Sequence, residues 1–231
     1  MDNTKKTSIS TTRRLTETAI MIAVATVLSY ITPYSLPMGG TVTLFSQVPI
    51  IVIGYRYNFK WGAFTGIIYG LLQMLLQGLG NFAYVKGFAS YLILILFDYV
   101  LAYMSLGVFA AVFRKMKYHT IGICLGATLA CVARFLCHFI SGVTIWKEYA
   151  EGWDSIWAYS AAYNGSYMVM EWLSTVLGVI VLSMLFDFTK ENLRKKKYTA
   201  EEMIVDDGEF DIEEAKKAKE EDDRENNQFT F

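Results

Sequence analysis

The sequence predicts an all-α integral membrane bundle of six transmembrane helices with both termini in the cytoplasm. Three observations carry that reading. Of the 231 residues, 54% are hydrophobic and 15% aromatic, and the mean hydropathy is +0.31. That is too apolar for an ordinary soluble domain. The apolar residues also fall in runs on the scale of a bilayer, with charge confined to short blocks between them. Finally, the basic residues of those blocks fall almost wholly on alternate connections, as the positive-inside rule requires.

Counting apolar runs places the helices in order. The first covers 15–32 and is stopped by Pro33 and the turn at 37–40; the second, 42–55, is short and ends at Arg56. The third, 61–79, carries Gly62, Gly66 and Gly70, and the fourth and fifth run from about 88 to 113 and from about 120 to 145. The sixth, about 158–188, exceeds one bilayer thickness, so its first turns are expected to lie in the interface or to tilt.

Orientation follows from the loops. One side collects Lys5, Lys6, Arg13, Arg14, Arg56, Lys60, Arg114, Lys115, Lys117, Lys190 and the basic stretch 194–197. The other has Lys86 and Lys147, the latter beside Glu148, Glu151 and Asp154. The basic side is cytoplasmic, which puts the end of the fifth helix at Trp146 outside. The division expected is a cytoplasmic segment 1–14, a membrane domain 15–188 and a charged tail 189–231. Residues 198–231 hold 13 acidic and 4 basic residues, against 9 and 17 before them. This part reads as a disordered cytoplasmic tail, although pairs such as Glu213 and Lys217 also suit a charged helix.

Cys124, Cys131 and Cys137 share one apolar run without CxxC spacing and read as small packing residues. The N-terminus lacks the pattern of a secretory signal. No metal site, cofactor, catalytic residue or nucleic-acid partner is expected; the lipid bilayer is one expected partner.

Polar groups inside the apolar runs are expensive and therefore informative. Asp98 lies in the fourth run, Arg134 and His138 in the fifth, Glu171 in the sixth. Asp98 reads either as a structural partner of Arg134 or as a counter-charge for a cation or a donor-rich ligand. His138 divides similarly between packing and ligand contact. Arg134, one turn deeper, reads as structural or gating, and Glu171 offers it a second carboxylate. His138, Gly142 and Trp146 recur at i, i+4 and i+8, on one helix face. Trp153 and Trp157 read as interfacial anchors. Asp98, Tyr99, His138, Trp146, Tyr159 and Asn164 gather near the outer mouth on this reading. Together they suit a small planar cation held by stacking, cation–π attraction and hydrogen bonds.

These residues carry a resemblance running from about Arg14 to Phe188. The first helix opens Arg14-Leu15-Thr16-Glu17-Thr18-Ala19-Ile20-Met21-Ile22-Ala23, followed by Gly39-Gly40-Thr41-Val42 and Val48-Pro49-Ile50. Then come Asp98-Tyr99, a His-x-x-x-Gly pattern leading to Trp146, and Tyr159-Ser160-x-x-x-Asn164. In this order they resemble the thiamine-specific S component of energy-coupling-factor vitamin transporters. The resemblance implies that Asp98 balances the thiazolium charge and bonds the aminopyrimidine. It implies that Tyr99 and Trp146 supply aromatic faces, and that His138, Tyr159 and Asn164 fix polar edges and the hydroxyl; from its place on the ligand-facing side of the fifth helix, Gly142 is expected to leave room for a ring. Gly40 stands where some members have a Trp, and Asp98 where some have Glu. Ala19 and Ala23 form a small-x-x-x-small face, which the resemblance implies docks to an integral membrane T component carrying two ATP-binding subunits. The sequence has no G-x-x-x-x-G-K-[ST], so it supplies no P-loop of its own. The expected function is thiamine capture at the bacterial plasma membrane. An S component for another vitamin or a pyrimidine precursor, an intramembrane enzyme using Asp98 and His138, and a purely structural membrane subunit are the alternatives.

Overall fold

Three of the six helices begin where a polar side chain satisfies an exposed backbone N–H. In the computed structural model, which describes residues 10–189, Ser10 Oγ accepts from the Arg13 N–H and opens α1, Thr11–Ser29. A two-residue antiparallel hairpin follows, β1 (Tyr34–Ser35) with β2 (Thr41–Val42), in register Tyr34↔Val42 and Ser35↔Thr41. Its turn contains Gly39 at φ +96°, a backbone region that favours glycine. Helix α2, Val48–Arg56, has Pro49 in its first turn, where the missing N–H costs nothing. Asn58 caps α3, Phe59–Ala83, through the Trp61 N–H at 3.0 Å. Then come α4 (Phe88–Ala110) and α5 (His119–Thr144). Ser155 caps α6, Ile156–Leu185. Segments 1–9 and 190–231, which include most of the expected tail, lie outside the described residues.

The structure is mostly helical, and its six helices follow the six apolar runs. Four of them, α3 to α6, are long and apolar enough to cross a membrane. The difference is sharpest at α2. The sequence suggests a helix from residue 42, but 43–47 form a loop in which Phe45 takes a positive φ of 63°. Nine helical residues rise about 14 Å, half of a hydrocarbon core of about 30 Å. All nine are buried, so α2 is a central rod wrapped by the longer helices.

Polarity is arranged inside out. Along α6, Leu173, Leu177 and Val181 are about half exposed, while Ser160, Asn164, Glu171, Thr175 and Ser183 are buried. Such a helix suits an apolar surround with hydrogen-bonding groups satisfied inside the bundle. Lipid gives no hydrophobic drive between helices, so close approach must supply the contact energy. Glycines provide it between α3 and α4. A side chain at Gly62 would run into the backbone of Gly107, and one at Gly107 into Gly62.

Helices α3, α4, α5 and α6 pack as successive neighbours, with α2 against α3 and α4. At the end formed by the α1 N-terminus and the α6 C-terminus, Glu17 pairs with Arg13 at 2.9 Å and Arg56 at 2.8 Å. Arg56 also reaches the Phe188 carbonyl, and Arg114 the Arg56 carbonyl. The opposite end holds the hairpin, the α3–α4 turn and the α5–α6 loop. A cavity opens there.

Candidate functional site

Five chain segments line the cavity: the hairpin turn (Gly39, Gly40, Thr41), the end of α3 (Asn81), and α4 (Asp98, Tyr99, Tyr103). The end of α5 with the turn after it (Arg134, His138, Gly142, Trp146) and the start of α6 (Tyr159, Tyr163, Asn164, Tyr167) complete the wall. All seven ligand-site residues read from the sequence are among them.

Asp98 is the chemical centre. It lies in a π-helical stretch, Leu94–Val100, a local widening common at functional sites. One carboxylate oxygen meets His138 Nδ1 at 3.1 Å; the other accepts from Ser141 Oγ at 2.8 Å and Trp146 Nε1 at 3.2 Å. Arg134, one of the two partners considered for Asp98, is engaged elsewhere. Its guanidinium lies 3.5 Å from Glu171 and stacks over the Tyr103 ring, 4.7 Å from the centroid. Among the described residues, the ion-pair partner of Asp98 is therefore the imidazole alone. The cavity holds a carboxylate that no fixed guanidinium or ammonium neutralises. His138 Nε2 is buried without a hydrogen-bond partner, as is Arg134 Nε.

Aromatic faces surround this charge. Tyr99 accepts from Asn81 Nδ2 at 2.9 Å, and its ring fills the space beside Gly78. Trp146 packs with Tyr84 and Tyr149 at ring separations of 6.3 and 5.9 Å. On α6, Tyr159, Tyr163 and Tyr167 form a ladder with centroids 5.9 and 6.1 Å apart. Tyr167 donates to Asn164 Oδ1 at 2.9 Å, while Asn164 Nδ2 donates to the Ser160 and His138 carbonyls. Tyr163 donates to the Pro37 carbonyl and accepts from the Gly40 N–H, tying the hairpin turn to α6.

Gly142 differs from expectation in one respect. Its backbone lines the cavity, but the space of its missing side chain is taken by Ser160. Glycine here brings α5 and α6 together and does not make room for a ring. Tyr103, Tyr163, Tyr167, Asn81 and Ser141 were not singled out from the sequence. The spacing of Tyr159, Tyr163 and Tyr167 at i, i+4 and i+8 marks one helix face and could have signalled two of them.

Beneath the cavity, Glu171 forms a buried hub at 2% exposure. It accepts from the Thr43 N–H, from Thr43 Oγ1 at 2.7 Å and from Gln47 Nε2, besides facing Arg134. In the loop 43–47 the Thr43 and Phe45 N–H groups are satisfied by Glu171 and Ser174 of α6 and that of Leu44 by the Ile31 carbonyl, so these residues need not be helical.

No group of three or more His, Cys, Asp or Glu side chains among the described residues could hold a metal ion. What the cavity offers is recognition: a negative charge, aromatic faces and hydrogen-bonding edges, the complement of a planar organic cation.

The family model described as thiamine transporter protein (Thia_YuaJ) matches residues 15–192. The chain belongs to this thiamine transporter family. It is 31% identical over 195 residues to the thiamine transporter ThiT of Bacillus subtilis strain 168, covering 80% of this chain and 95% of that protein. With ThiT of Lacticaseibacillus paracasei it shares 29% identity over 182 residues, 73% of this chain and 84% of the relative. A solved structure of ThiT from Listeria monocytogenes superposes with a TM-score of 0.61 at 25% identity, covering 74% of this chain and 93% of that one. The thiamine transporter family is one of transporters, not enzymes, and its apolar helices make this member a multi-pass protein of the bacterial plasma membrane.

Proposed function

We propose that this chain is the thiamine-capturing S component of an energy-coupling-factor uptake system. The observation that carries the reading is the carboxylate of Asp98, clamped among aromatic rings with no fixed cation among the described residues to neutralise it. Thiamine is a planar cation with an aminopyrimidine that both donates and accepts hydrogen bonds, and it complements that arrangement. Asp98 faces the positive ring, Tyr99 and Trp146 offer their faces, and His138, Tyr159 and Asn164 take the polar edges, with Gly142 setting the α5–α6 spacing.

The proposal includes six spans, counting α1 and the short α2, with both termini cytoplasmic and the cavity facing outward. The distribution of Lys and Arg supports this orientation. Ala19 and Ala23 are exposed on α1 and give a flat face for a T component. The chain has no P-loop, so uptake against a gradient draws on the two ATP-binding subunits of that partner.

Equilibrium titration of the purified full chain with thiamine tests the reading, with tryptophan fluorescence as readout because Trp146 is in the wall. Saturable quenching by thiamine that other vitamins do not compete away is the expected result. Tighter binding of a different vitamin, or of a free pyrimidine precursor, would overturn the substrate assignment.

A further inference from the structure

The three donors on Asp98 are not equivalent. His138 and Trp146 line the cavity, where a ligand can compete for them; Ser141 does not line it and is fully buried. Ser141 Oγ nevertheless makes the shortest of the three contacts, 2.8 Å to Asp98 Oδ2. A serine or threonine inside a helix commonly turns its hydroxyl back to a carbonyl of the preceding turn. Thr144, three residues on, does this, bonding the Ile140 carbonyl at 2.7 Å. Ser141 instead bonds across to α4. It lies three residues from His138, so both reach the same carboxylate from neighbouring positions on α5.

We infer that Ser141 is a positioning residue for ligand capture: its hydroxyl fixes the orientation of the Asp98 carboxylate from behind, while the cavity-lining partners remain exchangeable for groups of the ligand. Asp98 sits in the π-helical stretch of α4, and Ser141 and Trp146 anchor one oxygen from α5 and the turn after it. The carboxylate thus bridges two helices at a separation fitted to an aspartate. A glutamate, longer by one methylene, would drive its carboxylate toward the Ser141 hydroxyl, and deleting that hydroxyl would make room for it.

This inference rests on reading the cavity as the thiamine site, and the test separates the two. Thiamine titrations are made on the wild type, S141A, D98N, D98N/S141A, D98E and D98E/S141A, each with a ligand-free thermal unfolding curve. Loss of a hydrogen bond to a charged group is expected to weaken binding by S141A about tenfold. In the D98N background the same change should have little further effect, because the carboxylate it positions is gone. D98E/S141A should bind more tightly than D98E. Equal weakening by S141A with and without Asp98 would mean a merely structural role and overturn the inference, as would wild-type affinity in S141A. If D98E does not fold, the S141A and D98N cycle decides alone. Wild-type affinity in D98N would instead overturn the reading of the cavity itself.

Discussion

Asp98 and His138 form the pair from which binding energy is expected to come, because each faces the cavity and each is held by the other at 3.1 Å. Replacing Asp98 by Asn keeps the shape but removes the charge and turns one of the two acceptor oxygens into a donor, set against either His138 or the Ser141 and Trp146 pair. Asp98→Asn and His138→Ala should each weaken thiamine binding by more than about 1 kcal/mol, within the about 1.5–3 kcal/mol of a hydrogen bond to a charged group. Titration of both purified variants checks this, and wild-type-like curves would sink the site assignment. These residues were legible in the sequence because an ionisable side chain contrasts with the apolar run around it. Tyr103, Tyr163 and Tyr167 were not, because a tyrosine inside an apolar helix reads equally well as packing. Ser141 had still less contrast: a small hydroxyl that any helix can hide by bonding to its own backbone.

At the scale of elements, the buried Arg134 and Glu171 pair connects α5 to α6 and, through Thr43 and Gln47, to the loop that precedes α2. Removing one member of a buried ion pair leaves the other charge uncompensated. Glu171→Gln should therefore cost about 3–5 kcal/mol of stability, seen as a lower thermal midpoint in detergent. An unchanged midpoint would mean that the loop and Arg134 find other partners. The variant should also bind thiamine more weakly, because Arg134 and Tyr103 are part of the cavity wall. The long helices were readable from hydropathy, as their ends fall within a few residues of the apolar runs. The second helix was misread by six residues at its start. Apolarity alone does not distinguish a helix from a loop whose backbone donors are met by a distant carboxylate, a serine hydroxyl and a carbonyl of the preceding turn. The π-helical stretch in α4 was equally invisible, since its sequence carries no Gly or Pro.

On the proposed reading, the whole molecule has two functional surfaces that share no residue. The cavity opens at the hairpin end, lined by the turn after α1 and by α3 to α6. The exposed Ala19 and Ala23 belong to α1, which contributes no cavity-lining residue; along the same helix Ile20, Val24 and Val27 are also exposed. Two small residues four apart let another helix approach its backbone closely, and close packing is a main source of helix association energy in lipid. Enlarging both to leucine removes the groove without touching the cavity. Ala19→Leu together with Ala23→Leu should leave the thiamine titration of the purified protein unchanged, yet sharply reduce uptake of labelled thiamine in cells that supply the ATP-driven partner. A parallel loss of binding would mean that α1 supports the cavity after all. Undiminished uptake would move the docking surface to another helix. Those outcomes together would make capture and delivery separable by mutation, as the proposed reading of cargo recognition at one end and docking along α1 requires.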